Sequence, residues 1–411
     1  MKTMKSRTKF VVVMSSTCLV ALLLLGGVAS KGAPAEAGTA ASSDNNSIYK
    51  HLEVYSEVLS RIKSEYVEEP DMSNVTLGAM NGLLEAIDPY ASYLNADQYK
   101  DYLKNYDSYR GDLGMVLAKK YGYVTVVSVV PGSPAAKLGL TTGDMLESIK
   151  GIATRDMPLA YAKLLLKGAP GSTVDLSVLR RKPEPQKLTM TREVINYPAV
   201  ESKLLPDAIG YIKIPAMSSA KIKEVTAAVA ELQKQGAKKL ILDLRFSASG
   251  DPTDGIDLAN LFLDKGLITY TQGQKSPRKN YEADGKKDIT SLPLIVMTNH
   301  GTAAAAELAA GALQGDKRAT LVGERTYGDA SVLRPISMED GSAIILSVAK
   351  YYTPDGKSIQ DNGVTPENIV IEPEAGAEVD DDGDAAPAAA PAAKPGEDVI
   401  LQKAIELARS K

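Results

Sequence analysis

The sequence is poor in the side chains that most often build catalytic or metal centres. Its 411 residues include a single cysteine, Cys18, two histidines, His51 and His300, and no tryptophan. Disulfides are therefore excluded, a thiolate site would have to use residue 18, and a Ser-His-Asp triad would depend on one of two histidines.

An excess of positive charge is also missing. The chain has 47 Lys and Arg residues against 51 Asp and Glu residues, which gives a formal net charge of −4. Such a chain has no basic surplus to neutralise phosphates, which argues against nucleic acid as the main partner. The hydrophobic share of 44% and the charged share of 24% are ordinary for globular protein.

The N-terminus has the pattern of an export signal. Basic residues precede an apolar run over 10–28, and Val28-Ala29-Ser30 offers small side chains to a signal peptidase. The run is also long enough for an uncleaved anchor. We expect residues 1–30 to be a signal peptide or anchor, with the rest in the periplasm or cell envelope and membrane contact only through this segment.

The remaining chain divides by periodicity and composition. Residues 31–47 predict a linker, and 48–107 have the apolar spacing of helices. Short strands with two helices follow over 108–193, including a helix from Asp156 to Lys167 with Asp156 as N-cap. Strands alternate with helices over 194–372, which predicts an α/β domain with a largely parallel sheet. An acidic, then Ala/Pro-rich linker (373–396) and an amphipathic helix (397–411) complete the chain.

One turn has the outline of a catalytic elbow without its chemistry. The stretch "NHGTAAAAELAAG" begins at Asn299, at the end of an apolar strand, and passes through a glycine turn into a helix. This geometry presents a nucleophile in many enzymes, yet the turn presents only methyl groups.

Several motifs in order resemble the C-terminal processing peptidases, or tail-specific proteases, which are exported serine proteases. The motifs are "EAIDPYASYL" (85–94), "RGDLGMVL" (110–117), "VVPGSPAAKLGLTTGDMLESIKG" (129–151), "LILDLR" (240–245), "AAGALQGDKRATLVGERTYG" (309–328) and "AKYYTPDGKSIQDNGVTPE" (349–367). The resemblance implies a helical N-terminal segment, an inserted PDZ domain over 108–193 and a crotonase-like, ClpP-like α/β core over 194–372.

The resemblance also locates the catalytic positions. The family's serine nucleophile falls on Ala304, its lysine base on Asp329 and a supporting glutamine on Leu333. A Ser–Lys protease needs a hydroxyl to attack and a neutral amine to take its proton. The family's oxyanion turn, usually Asn-Asn-Pro-Gly-Gly, is Phe246-Ser247-Ala248-Ser249-Gly250 here. With all three side chains absent, the sequence predicts a pseudoprotease.

The motifs that match the PDZ domain imply that peptide binding is retained. In a PDZ domain an extended peptide adds a strand, and amides of a glycine loop hold its terminal carboxylate. The matching residues are Gly111, Leu113, Gly114 and Met115, although the carboxylate of Asp112 would weaken binding if it faced the peptide. The predicted partners are protein or peptide C-termini and an active protease relative; no cofactor or metal is predicted.

Other interpretations remain open from the sequence. One is an active peptidase with a displaced nucleophile, and another is a structural scaffold in which the PDZ fold is a spacer. The candidate hydroxyls are Thr302, with His300 beside it, Ser247, Ser249 and Ser331. Asp251, Asp254 and Asp257 have the composition of a metal cluster, but a loop and a helix N-terminus explain them more simply.

Overall fold

The computed structural model describes residues 37–105, 108–120, 122–155, 157–180, 184–372 and 398–410. The predicted signal over 1–30 and the predicted linker over 373–396 lie outside these stretches. Within them, none of the helices combines the length and the apolar character that crossing a bilayer requires.

The chain divides between Val75 and Thr76 into two units. In the first unit, helix α1 runs from Ala37 to Glu65. The predicted linker over 31–47 is therefore too long, because helical backbone begins at Ala37 in a stretch whose alanines favour helix. Helix α2 (Met72–Glu85) crosses the division, and strand β1 (Ser92–Leu94) and helix α3 (Ala96–Asn105) follow it.

An antiparallel sheet with two short helices occupies the region of the predicted PDZ domain. Its strands are β2 (Met115–Lys120), β3 (Tyr123–Val129), β4 (Met145–Ile149), β5 (Ile152–Ala153), β6 (Thr173–Leu179) and β7 (Gln186–Thr191), in the order β2-β3-β4-β6-β7 with β5 on β4. Helix α4 (Pro134–Lys137) is capped by Ser133, whose hydroxyl accepts from the Ala136 amide.

The second helix of this domain is shorter than the sequence predicts. Helix α5 runs from Leu159 to Leu166, and its N-cap is Pro158, with ψ of 135° and no side-chain cap. The extended backbone at Pro158 prevents an earlier start, and Asp156 lies outside the described residues.

A largely parallel sheet forms the core of the larger α/β domain. Its strands are β8 (Glu201–Leu205), β9 (Ile209–Lys213), β10 (Lys239–Asp243), β13 (Leu294–Thr298), β14 (Ala319–Gly323) and β17 (Asn368–Ile369), in the order β17-β14-β13-β10-β9-β8. Only β8 is antiparallel to its neighbour. Both faces are covered, which explains the continuous apolar runs of β10 and β13.

Different helices cover the two faces of this sheet. Helices α6 (Ser219–Lys234), α7 (Pro252–Asn260) and α8 (Ala305–Gly315) share a core with one face. The C-terminal helix α9 (Val399–Ser410) packs on the other, where Ile400, Ala404 and Ala408 are buried. The amphipathic pattern near the C-terminus thus covers the second face of the sheet.

A second, antiparallel sheet stands beside the first. It contains β1, β11 (Leu267–Gln272), β12 (Lys279–Glu282), β15 (Ser331–Ser337) and β16 (Ala343–Tyr352), in the order β1-β16-β11-β12 with β15 also on β16. The long β16 joins the other strands, so β1 from the helical segment is part of the core fold.

One buried guanidinium attaches α9 to the sheet. Arg245 follows β10 and pairs with the fully buried Asp243 at 2.8 Å, with Glu372 at 2.5 Å and with Asp398 at 2.8 Å. The Tyr211 hydroxyl donates to Asp243 at 2.7 Å. Because Asp398 directly precedes α9, this cluster fixes the start of the helix.

Replacing Arg245 by leucine should destabilise the fold by about 3–5 kcal/mol, because Asp243 would keep its charge in the interior without its partner. Arg409→Leu is the matched control, since the Arg409–Asp207 pair, at 2.7 Å, is exposed on both sides and should be worth less than about 1 kcal/mol. Urea unfolding measures both. Equal losses would contradict a structural role for the buried cluster.

Candidate functional site

The elbow predicted at the end of β13 is present, and its backbone is strained. Ala304, just before α8, has φ of 52° and ψ of −122°, a conformation that residues with a Cβ rarely adopt. The turn before it is pinned because Asn299 Oδ1 accepts from the Phe246 and Gly301 amides at 3.0 and 3.1 Å. The strain is therefore imposed by the surrounding structure, although the side chain is only a methyl group.

A buried carboxylate holds the elbow against the loop that carries Asp329. Glu307 Oε2 accepts from the amides of Ala304 at 3.0 Å and Asp329 at 2.8 Å. Its Oε1 accepts from the Gly328 amide at 2.6 Å and from the Thr326 hydroxyl. Burial, opposed by these hydrogen bonds, raises the pKa of Glu307 to about 7. From sequence, a glutamate in the first turn of a helix suggests only a favourable interaction with the helix dipole, so this role could not be predicted.

The turn after β10 lies beside the elbow. The Ser247 carbonyl accepts from the Ala303 amide at 3.0 Å, and Ser249 and Gly250 line the same cleft as Ala304. Among the described residues, the amides of Ala248, Ser249 and Gly250 donate to no acceptor. These amides are therefore available as hydrogen-bond donors in the turn beside the elbow.

The cleft of about 450 Å³ joins the PDZ domain to the elbow. Met115, Leu117 and Leu166 line it from β2 and α5, and Ala304 and Asp329 line it from the core. Leu333 does not line the cleft: it lies in β15, 41% exposed. The structure therefore brings together two of the three predicted catalytic positions and leaves the third outside.

A lysine that the sequence did not single out faces these positions. Lys163, on α5, lines the cleft with Asp329. Burial lowers the pKa of the Lys163 ammonium, and Asp329 opposes this effect; burial likewise raises the pKa of Asp329 against the opposing charge of Lys163. No local pattern could have indicated this pairing, because it depends on how the PDZ domain packs against the core.

The predicted carboxylate-binding loop differs from the expectation. Asp112 Oδ1 accepts from the amides of Leu113 at 2.6 Å and Gly114 at 3.0 Å, and the Gly111 amide donates to Gly168 at 2.9 Å. These amides are therefore already paired within the chain, because the short Asp112 side chain reaches the two amides that follow it. Gly114 and Met115 still line a groove beside the loop.

The alternative hydroxyls are mostly turned away from the cleft. Thr302 is buried and donates to the Leu244 carbonyl at 2.9 Å, while the exposed His300 pairs with Glu324 at 2.5 Å. The hydroxyls of Ser247 and Ser331 are buried without a partner in the part of the chain that the structure describes. Ser249 alone of these candidates lines the cleft, where Tyr197 lines it too.

The three aspartates that had the composition of a metal cluster have structural roles. Asp251 caps α7 by accepting from the Thr253 amide at 3.1 Å, and Asp254 accepts in return from the Asp251 amide at 3.0 Å. Asp257 pairs with Lys287 at 3.0 Å.

Comparison with known proteins identifies the family. The model of peptidase family S41 matches residues 208–370, and a PDZ domain model matches 125–180. The carboxy-terminal-processing protease of Bartonella bacilliformis is 32% identical over 339 residues, which cover 81% of this chain and 78% of that protein. The chain belongs to peptidase family S41.

Other members of the family agree with this assignment. The carboxy-terminal processing protease CtpA of Bacillus subtilis is 33% identical over 312 residues, covering 75% of this S41 chain and 66% of that protein. The solved structure of a photosystem II D1 C-terminal processing protease superposes with a TM-score of 0.64 at 27% identity, covering 76% and 85% of the two chains. The predicted combination of a helical segment, a PDZ domain and an S41 core is confirmed.

Replacing Ala304 by glycine should stabilise this S41 chain, because glycine adopts φ of 52° without strain. Strain of this kind costs about 1–3 kcal/mol, and the greater freedom of unfolded glycine offsets about 0.5–1 kcal/mol. We expect a net gain of about 1 kcal/mol in the free energy of unfolding in urea. Ala309→Gly, in the middle of α8, should cost about 1 kcal/mol or more. A loss of stability in Ala304→Gly would show that the elbow is not strained.

Glu307 should make stability fall as the pH rises towards neutrality. Its pKa in the fold, about 7, lies above the ordinary value of 4.5, so its contribution is greatest below about pH 4.5 and is lost as the pH rises through 7. The difference between these two pKa values corresponds to about 3 kcal/mol in the free energy of unfolding. Urea unfolding at several pH values gives the free energy of unfolding as a function of pH. This dependence should be weaker for Glu307→Gln than for wild type, and unchanged for Glu282→Gln, on the exposed β12. An identical dependence for wild type and Glu307→Gln would contradict the raised pKa.

Proposed function

We propose that this S41 family member binds extended polypeptide segments, C-terminal tails included, and does not cleave them. The observation that carries the proposal is the methyl group of Ala304 at the strained elbow. In its place a serine protease needs a hydroxyl to attack the scissile carbonyl. The protein would act as an adaptor or scaffold, with an active protease relative among its partners.

The surroundings of Ala304 support the absence of cleavage. The residue at the family's base position, Asp329, is a carboxylic acid, and it faces Lys163 across the cleft. Even with the remaining machinery intact, loss of the nucleophile alone costs about 10⁶ in rate. The unpaired amides of the 248–250 turn provide electrostatic stabilisation only for a reaction that something else must begin.

The groove of the PDZ domain supports the binding half of the proposal. Strand β2 is at the edge of its sheet, so an added peptide strand can use its main-chain groups. Met115, Leu117 and Leu166 supply an apolar lining. This lining continues to Ala304, so a bound segment would pass the elbow without meeting a nucleophile.

Export is part of the same proposal. It is supported by the basic and apolar pattern of residues 1–30, which predicts a periplasmic or cell-envelope location with the segment cleaved or kept as an anchor. The location is consistent with a role beside exported proteases.

A second candidate is an active peptidase that uses a displaced nucleophile, and one observation favours a specific residue for it. Ser249 lines the cleft together with Ala304, Lys163 and Asp329. Ser249, however, belongs to the turn whose amides would stabilise the oxyanion. Ser249 is therefore better placed to form part of the oxyanion turn than to act as the nucleophile.

The wild-type protein should neither hydrolyse unfolded protein substrates nor react with a fluorophosphonate probe. Ala304→Ser alone should remain without turnover, because it supplies a hydroxyl but no neutral amine. Adding Asp329→Lys should give measurable labelling, since burial beside Lys163, with no carboxylate left between the two amines, favours a neutral amine at the base position. Gel-based labelling and a peptide-release assay measure these outcomes, with Ala309→Ser as the matched control outside the elbow.

Stoichiometric labelling of wild-type Ser249 would instead establish the second candidate. Rapid turnover by Ala304→Ser alone would show that a lysine lining the cleft already serves as the base.

A further inference from the structure

The loop that should receive a peptide carboxylate is occupied by a carboxylate of the chain itself. Asp112 Oδ1 lies 2.6 Å from the Leu113 amide and 3.0 Å from the Gly114 amide. Successive main-chain amides of this kind form an anion-binding nest. We infer that Asp112 is a built-in competitor of the peptide carboxylate, so that the groove binds extended segments without using a free C-terminus. The inference rests on the proposed peptide binding and specifies its ligand class.

The main chain of the loop is held by contacts that do not involve the Asp112 side chain. The Asp112 and Glu193 backbones exchange hydrogen bonds of 2.9 and 3.0 Å, and the Ala135 amide donates to the Leu113 carbonyl at 3.0 Å. Gly114 has φ of 76°, and a Cβ there would lie 2.3 Å from Ser133 Cβ. The path of the loop is therefore fixed, and removing the carboxylate should expose the two amides rather than collapse the loop.

The charged groups of the cleft do not favour a second carboxylate, whereas in the groove beside the loop Arg110 and Lys167 are offset by Asp112 alone. The Arg192 guanidinium donates to the carbonyls of Leu166 at 2.7 Å and Leu165 at 2.8 Å, so it serves the C-terminal end of α5. In the cleft, two lysines are balanced by two carboxylates: the lining residues are Lys163, Lys167, Asp112 and Asp329. The terminal carboxylate of a peptide would give this lining a net negative charge.

The remaining recognition elements are independent of a chain terminus. The edge of β2 offers main-chain hydrogen bonds to any extended segment. Met115, Leu117 and Leu166 offer apolar contacts to alternate side chains. The ligand class is thus internal extended segments, or tails whose last carboxylate lies beyond the groove or is blocked.

The test compares matched peptides on the full chain. Short fluorescent peptides with an apolar last residue are made as free acids and as amides, and affinity is measured by anisotropy. Wild type should bind the amide at least as well as the acid. Asp112→Gly should strengthen binding of the acid by about tenfold or more, because the freed amides supply charge-assisted hydrogen bonds. Binding of the amide should not change, which also shows that the variant is folded.

Asp112→Asn separates occupation of the amides from simple charge repulsion. The asparagine side-chain oxygen can still accept from the Leu113 and Gly114 amides but carries no charge. Affinity for the acid should therefore stay near that of wild type. An increase as large as in Asp112→Gly would overturn the inference in favour of repulsion alone. Asp340→Gly is the matched control, because Asp340 accepts from the Ser342 amide at 3.0 Å in a turn that does not line the cleft.

Two further outcomes are distinguishable. A wild-type preference for the acid of tenfold or more would refute the role of Asp112 while leaving peptide binding in place. Absence of binding by both peptide forms to every variant would refute the proposed peptide binding, and this inference with it.

Discussion

The candidate site depends on the carboxylate of Glu307. This one group accepts four hydrogen bonds, from Ala304, Thr326, Gly328 and Asp329. It therefore joins the start of α8 to a loop more than twenty residues later in the chain. The cost of burying an ionisable side chain is met by its fixed donors. The carboxylate thus helps to define both the strained turn at Ala304 and the position of Asp329.

The elbow has the backbone geometry of a catalytic turn, but its side chain is a methyl group. A strained backbone, unpaired amides and a cleft surround Ala304, and these are features that enzymes usually combine with a reactive side chain. Here the side chain cannot react, but the packing of the adjacent strands and α8 preserves the shape. Asn299 contributes to this, because its amide oxygen binds the backbone on both sides of the site. A turn that is part of the core keeps its conformation whatever side chain it carries.

The sequence predicts the parts of this structure that follow from local pattern. Apolar runs such as 240–244 indicated the buried parallel strands, and the glycine turn before Ala304 indicated the elbow. Strands β11 and β12 were not indicated, because β12 is a mostly exposed edge strand and β11 pairs with β16, far away in the sequence, which no local pattern encodes. Lys163 beside Asp329 depends on domain packing, which no local spacing encodes. The hydrogen bonds of Asp112 could have been predicted, since an aspartate side chain commonly accepts from the backbone amides that follow it. The direction in which this side chain points became known only from the structure.

The Arg245 cluster has a consequence for how the C-terminal helix is attached. Glu372 and Asp398 bind the same guanidinium, so the two ends of the intervening segment are held at one point, independently of the residues between them. Helix α9 also buries Ile400, Ala404 and Ala408 against the central sheet. A single cut in that segment would therefore produce two chains that remain associated, and the helix would behave as a noncovalent subunit of the domain that it covers.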